Sequence, residues 1–554
     1  MNAPFKDAVT KALALAAAAA AGFGIAVRLL RDDPSFPGPA AVALLASALL
    51  AAGFLILAAS LRGKTLLRFP LLWILALLVP ALGGVSALLA SPRPHAGLSF
   101  LAAFGGAFLF FPVAVQAGRD REFSKTLLKG ALGIVAVQVL VGFFQFSRDA
   151  SGEGGIPFRG IFDSPLHAAG ILAMAIPAVA GLLVNSLQER MDPAVWPRRI
   201  LYGLTAVLFA AGLYYAGSET AWVALALGGA AFLALAGRTP VRRNLRVILP
   251  LAAFVAAAAA GAAALQSRPG FRMPGYGTLL EQTGAAARSA RTDAEAAVRS
   301  PRFGDGFLAE GRRPAGPPAR RAPAAASSPA RLAAAGGLPF LAALVLLLAA
   351  AFAAAAKGSR IREAPPPSSP VMVGRRRAVK AIEIASAAAV GGTAAFLLAA
   401  EGVPGLPRPV FLAVFLPLWL AFTATVYSYK HFRRVSEDRR DFVAIGAASG
   451  AAAGLLRSLA GDDLLHPPTL FFLLLLLAVA VSRAYPPEAG RAWDLRRPKL
   501  LRAALGILGL LTVLAGAALL VRQWEPETRR AAEALEAPAE DGTSQGPASE
   551  GRGP

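Results

Sequence analysis

The chain is a succession of long apolar runs, and the loops between them alternate in charge. Fifteen runs can be drawn, at residues 9–30, 40–61, 71–90, 98–117, 131–146, 166–187, 200–216, 221–236, 247–265, 338–356, 381–400, 409–427, 442–460, 469–481 and 503–521. Most are close to the ~20 residues that cross a hydrocarbon core as a helix. Backbone groups in lipid must be paired within their own segment, so helices are the spans these lengths permit; a barrel would need short alternating strands. With the N-terminus inside, the first four inner loops carry Arg62, Lys64 and Arg68; Arg119, Arg121, Lys125 and Lys129; Arg190, Arg198 and Arg199; and Arg238, Arg242, Arg243 and Arg246. Later inner loops carry Arg375, Arg376, Arg377 and Lys380; Lys430, Arg433, Arg434, Arg439 and Arg440; and Arg491, Arg496, Arg497, Lys499 and Arg502. The short outer loops hold only scattered arginines such as Arg93, Arg148, Arg159 and Arg408. Lys and Arg are retained on the cytoplasmic side, so the alternation reports topology and orientation together. The expected architecture is all-α: a polytopic integral membrane protein of fifteen transmembrane helices, N-terminus cytoplasmic and C-terminus outside.

The 554 residues are 56% hydrophobic and carry a net charge of +23. Because the arginines sit between spans, this charge does not call for a nucleic-acid partner. Cysteine is absent, which excludes disulfides, thiolate catalysis and cysteine metal sites. The run at 9–27 follows Lys6 and Lys11 without a cleavage motif, and reads as a first span rather than a signal peptide. Two segments stand apart from the membrane. Residues 266–337 form a long extracytoplasmic loop whose Ala-rich, charge-interleaved middle, 279–298, predicts a short helix; 312–329 is Pro/Ala/Arg-rich and reads as irregular. The tail from Glu525 is too polar to bury a core.

Several short strings fall in a suggestive order. After the fifth run comes Phe158-Arg159-Gly160-Ile161-Phe162-Asp163-Ser164-Pro165. Gly217-Ser218-Glu219-Thr220-Ala221-Trp222 follows between two spans. The long loop contains Arg291-Thr292-Asp293-Ala294-Glu295, then Ser300-Pro301-Arg302-Phe303-Gly304-Asp305-Gly306-Phe307, and leaves through Ala335-Gly336-Gly337-Leu338-Pro339-Phe340. Late in the chain stands Gly454-Leu455-Leu456-Arg457-Ser458-Leu459, with Asp462 and Asp463 beyond. In order, spacing and topological side these strings, from about residue 131 to 481, resemble the O-antigen ligase family, which includes O-antigen polymerases and protein O-oligosaccharyltransferases. The resemblance implies a bacterial inner-membrane enzyme of cell-envelope and lipopolysaccharide biosynthesis. It would move a glycan from undecaprenyl diphosphate to an acceptor, lipid A-core or protein, at the periplasmic face. It divides the chain into N-terminal membrane helices (1–130), a first part of the membrane core (131–265), the long periplasmic loop (266–337), a second part of the core (338–481), a basic cytoplasmic loop with the last helix (482–521) and a disordered periplasmic tail (522–554).

That chemistry needs positive charge at the diphosphate leaving group, a base for the acceptor hydroxyl, and alignment of the two. Guanidinium suits the first task, being permanently charged and able to grip phosphate oxygens in pairs. The resemblance gives Arg159, Arg291 and Arg457 as diphosphate-binding residues, and Pro301, Gly304, Asp305 and Gly306 as a loop motif. The family histidine that precedes the Gly-Leu-Pro string has no counterpart: the region reads Ala326-Ser327-Ser328-Pro329, and 266–337 contains no histidine. Glu219 stands where the family usually has arginine. His167, His466 and Glu219 are the substitutes on the correct side for proton transfer; His95 lies in a short outer loop and His431 in an inner basic one. No metal or nucleotide cofactor is called for, since neither a metal-ligand spacing nor a phosphate-binding glycine loop is present.

Each residue also has a plainer reading. Arg159 would serve equally as a headgroup anchor, Arg291 as the solvated face of a loop helix, and Arg457 as a side chain snorkelling to the interface. Glu219 could be a wet turn residue, and Gly304 to Gly306 a tight turn. The alternatives for the whole chain are a catalytically inactive relative, a polysaccharide polymerase and, from another class, a flippase of lipid-linked sugars, which would show related halves or broken helices at mid-membrane.

Overall fold

The computed structural model describes residues 3–30, 39–62, 64–67, 69–90, 101–118, 121–149, 165–188, 196–237, 279–299, 328–359, 440–461, 464–484, 491–494 and 499–536, together with Phe158, Gly160, Phe162 and Ser164. These residues form thirteen α-helices: α1 (Ala3–Leu30), α2 (Pro39–Arg62), α3 (Pro70–Ala90), α4 (Gly106–Ala117, led in by a π-turn at Leu101–Gly105), α5 (Arg121–Asp149), α6 (Pro165–Gln188), α7 (Trp196–Tyr215), α8 (Glu219–Ala236), α9 (Leu279–Arg299), α10 (Ser328–Ser359), α11 (Phe442–Ser458), α12 (Pro467–Ala484) and α13 (Lys499–Glu536). Proline opens α2, α3, α6 and α12, where its missing N–H would be unpaired in any case.

Among the described residues eight helices, α1, α2, α3, α5, α6, α8, α10 and α13, are long and apolar enough to cross a membrane; α4, α11 and most of α12 are shorter apolar helices. The chain is an all-α membrane protein with one short ribbon. The expected spans at 247–265, 381–400 and 409–427 lie outside the described residues. The helix expected over 279–298 occupies Leu279–Arg299, whereas the first part of the tail expected to be disordered continues α13 as helix to Glu536, its alanines and arginines being good helix formers.

Helix α12 is the axis of the bundle. From Leu470 to Val481 every side chain is buried, as an all-round apolar helix requires. Helix α11 packs on α6 through small residues: Gly446 faces Pro177 O and Gly181, and Gly450 faces Met174 O. A Cβ at either position would run into the α6 backbone, so the two helices approach as closely as small-residue interfaces in membranes allow. On the rim, α13 rests on α2 in the same manner. A Cβ on Gly53 would fall 2.8 Å from Gly509 O, and one on Gly516 2.8 Å from Ala46 O. The outward aliphatic side chains of α13 and α3, among them Leu500, Ile507, Leu71 and Ile74, are exposed.

At one end of the bundle arginines collect, and several do structural work there. Helices α2, α6 and α8 all end at this basic end, where each leaves carbonyls without intrahelical partners and the negative pole of its dipole. Arg502 donates to Ser60 O (2.6 Å) and Leu61 O (3.3 Å) of α2. Arg199 donates through Nε and Nη2 to Ser186 O of α6, at 3.2 and 3.0 Å. Arg440 donates to Leu235 O (3.2 Å) and Ala236 O (2.5 Å) of α8. Gly237, at φ 82°, leaves the space for it: a Cβ there would fall 2.6 Å from Arg440 Nη1. The same end holds two strands, β1 (Lys64–Leu67) and β2 (Arg491–Asp494), paired antiparallel with Lys64 opposite Asp494 and Leu67 opposite Arg491.

Candidate functional site

The opposite end is built around the segment that leads into α6. Phe158 is buried there, with its ring 5.1 Å from that of Phe143 of α5. Two glycines make room for it: a Cβ on Gly142 would come 2.7 Å from the Phe158 ring, and one on Gly212 of α7 3.3 Å. Gly160 has φ 63°, and a Cβ there would sit 2.9 Å from Gln138 O. Only glycine combines that left-handed backbone with such an approach. Irregular backbone at membrane depth is tolerated where protein encloses it, and α5, α6 and α7 supply that enclosure. Ser164 then caps α6, its Oγ accepting from Leu166 N at 3.2 Å.

His167 lies in the first turn of α6 and His466 immediately before α12. Their rings stack, with centroids 3.7 Å apart and planes 13° from parallel. Phe162 meets His466 edge to face at 6.0 Å. His466 also caps α12, its carbonyl accepting from Leu470 N at 3.0 Å. The ring nitrogen Nδ1 lies 2.7 Å from Thr469 Oγ1, which orients it.

Arg457, in the last turn of α11, is 3% exposed. Three packing registers fix its height. Gly450 and Gly454 of α11 face Met174 of α6; they also face Leu476 and Leu473 of α12, and Ala453 faces Gly228 of α8. Continued one or two turns outward along these antiparallel pairs, the registers bring Arg457 level with His167, Thr469 and Trp222. The backbone of Arg457 therefore stands at about the height of the histidine pair. A buried cation inside a helix bundle is a functional-site signature, and it also sits where the α11 dipole favours it.

The other sequence candidates fall elsewhere. Arg291 stands on the outer face of α9 with its side chain 86% exposed, paired to Glu295 at 3.5 Å. Glu219 is the first residue of α8, where an acid complements the helix dipole. Ser218 caps that helix and contacts Thr220 Oγ1 at 3.1 Å. Arg159, Pro301, Gly304, Asp305 and Gly306 lie outside the described residues, as do Asp462 and Asp463. Among the described residues no group of three or more His, Asp and Glu could hold a metal ion.

Sequence reasoning passed over Gln138 and Thr469. The signal for Gln138 is an amide in the middle of the apolar run 131–146, which carries no charge to mark it. Thr469 is legible only once His466 is known to cap α12. Comparison of the chain with protein-family models, curated proteins and solved structures finds no match.

Proposed function

We propose that this protein is an O-antigen ligase-like glycosyltransferase of the bacterial inner membrane. In this reading it transfers a glycan from undecaprenyl diphosphate to an acceptor hydroxyl of lipid A-core or protein at the periplasmic face. The observation that carries the reading is the His167–His466 stack, with the buried Arg457 at about the same backbone height. An imidazole of the pair serves as the base for the hydroxyl, and the buried guanidinium opposes the charge that grows on the departing diphosphate. The pair takes the place of the family's loop histidine. Arg159 and Arg291 complete the diphosphate grip from the two extramembrane segments.

The fifteen-span topology belongs to the same proposal, with the N-terminus cytoplasmic and residues 266–337 and the C-terminus periplasmic. A chain without cysteine suits the test, because single cysteines placed in 266–337 can be labelled against no background. Labelling of that loop from the cytoplasmic side overturns the reading. In proteoliposomes supplied with undecaprenyl diphosphate-linked oligosaccharide and acceptor, the wild type transfers glycan while Arg457→Ala and His466→Ala do not. Transfer by both variants at the wild-type rate counts against the site. The flippase reading draws on the break in α10 at Gly337, φ 78°. That break stands at the start of the expected span 338–356, not at mid-membrane, and so favours the transferase.

A further inference from the structure

We infer that Thr469 is a positioning residue that holds neutral His466 as its Nε2–H tautomer, which makes His466 a hydrogen-bond donor and leaves the base of the pair to His167. Thr469 Oγ1 lies 2.7 Å from His466 Nδ1, and Thr469 is 2% exposed. Either atom could donate across that contact, and the surroundings decide which does. Thr205, Thr292 and Thr512, inside their helices, each donate to the carbonyl four residues earlier, at 2.7, 3.2 and 2.7 Å. That is the ordinary outlet for a helical threonine. Thr469 is in the first turn of α12, so the residue four before it, Leu465, precedes the helix and lies outside its ladder. Among the described residues the His466 ring is the one side-chain hydrogen-bond partner of Thr469. A buried hydroxyl that only accepts leaves its own proton unmet, whereas donating to Nδ1 satisfies it.

The end of α12 points the same way. His466 stands just before the helix, its carbonyl accepting from Leu470 N. Side chains at that position act as acceptors, because first-turn N–H groups and the positive pole of the helix dipole face them. Pro467 and Pro468 have no N–H to offer there, and the Thr469 hydroxyl stands in as the donor. A bare Nδ1 fits this place, while an Nδ1–H would set a proton against a donor-rich end. Neutral imidazole carries one proton on its two nitrogens, so a bare Nδ1 puts that proton on Nε2. The chemical consequence rests on the transferase reading above; the tautomer does not. With Nδ1 occupied and Nε2 protonated, His466 has no lone pair left for a proton. The acceptor hydroxyl therefore gives its proton to His167 as its oxygen bonds to the sugar carbon. The bond from that carbon to the diphosphate oxygen breaks, and its electron pair leaves with the diphosphate. His466 contributes as a donor through Nε2–H.

The test is solid-state NMR of the full-length protein in proteoliposomes, with the histidine rings isotope-labelled. The chain has four histidines, and the His466 signals are those missing from His466→Gln. Spectra are taken at alkaline pH, where imidazole is neutral; protonated and bare ring nitrogens resonate in separate ranges. Wild type and Thr469→Ser should show a protonated Nε2 and a bare Nδ1. Thr469→Val, which keeps the shape and removes the hydroxyl, should show both tautomers. A proton on Nδ1 in wild type overturns the inference, as does an unchanged tautomer in Thr469→Val. A threonine that served packing alone would shift the unfolding midpoint and leave the tautomer where it was. Should Thr469→Val fail to accumulate, Thr469→Ala takes its place. Transfer assays test the roles within the pair. A glutamine amide can replace an Nε2–H donor but is no base. His466→Gln should therefore keep about a tenth of the wild-type rate or more, while His167→Gln should lose a factor of about a hundred or more. The reverse order makes His466 the base and overturns the assignment of roles. A wild type that transfers no glycan removes the transferase reading, and the spectra still decide the tautomer.

Discussion

Arg483 and Asp441 meet at 2.9 Å with both side chains nearly out of solvent, and together they fasten three helices. Asp441 caps α11 by accepting from Val443 N and Ala444 N. Arg483, at the end of α12, also donates to Arg121 O at 2.5 Å and Ser124 Oγ at 3.2 Å of α5. Removing one partner leaves a buried charge uncompensated. Asp441→Ala should therefore cost about 3–5 kcal/mol, read as a lowered unfolding midpoint in detergent. Combining Asp441→Ser with Arg483→Met keeps a cap and removes both charges, and should recover most of that loss. An Asp441→Ala protein as stable as wild type would show that the pair fastens nothing.

Gly160→Ala and Gly130→Ala should act with opposite signs. The first forces a side chain into the left-handed region and against Gln138 O, at a cost of roughly 1–2 kcal/mol or more. The second adds a methyl to α5 where nothing lies within 4 Å, and should be neutral or stabilising by about 0.5–1 kcal/mol. Thermal unfolding of the two purified variants side by side checks the contrast.

Gly237→Ala should displace Arg440 from the end of α8. The cost is about 1–3 kcal/mol, from the positive φ and the lost hydrogen bonds together. Arg440→Met should cost less alone, and little further in the Gly237→Ala background, since the same contact is already gone. Additive losses in a double-mutant cycle would refute the shared mechanism.

Arg457→Lys and Arg291→Ala separate the two arginines. Lysine at 457 keeps the charge but loses the fork, and transfer in proteoliposomes should fall by about a hundred- to thousandfold. Arg291→Ala should leave the unfolding midpoint unchanged, because an exposed i,i+4 pair contributes little. Transfer should nonetheless be lost if Arg291 grips the diphosphate. Full activity in Arg291→Ala would remove it from the site.

Hydropathy located most of the described helices because lipid selects on length and apolarity, both of which are written locally. The run at 469–481 falls within α12, which extends a few residues further at each end, over Pro467–Ala484. Arg483 reads as the start of a basic loop, and only its partner Asp441, far away in sequence, brings it inside. The site was half legible. Arg457 was visible as a charge in an apolar run, and His167 and His466 were weighed one at a time. Their stacking depends on α6 and α12 starting at the same height, which no local pattern encodes. The ribbon had no signal at all, since Lys64–Leu67 and Arg491–Asp494 were read only for charge.

That ribbon, with the α2–α13 seam beside it, ties the beginning of the polypeptide to its end. Helix α13 therefore docks on residues far earlier in the sequence, and that contact can close only after α2 has already entered the bilayer.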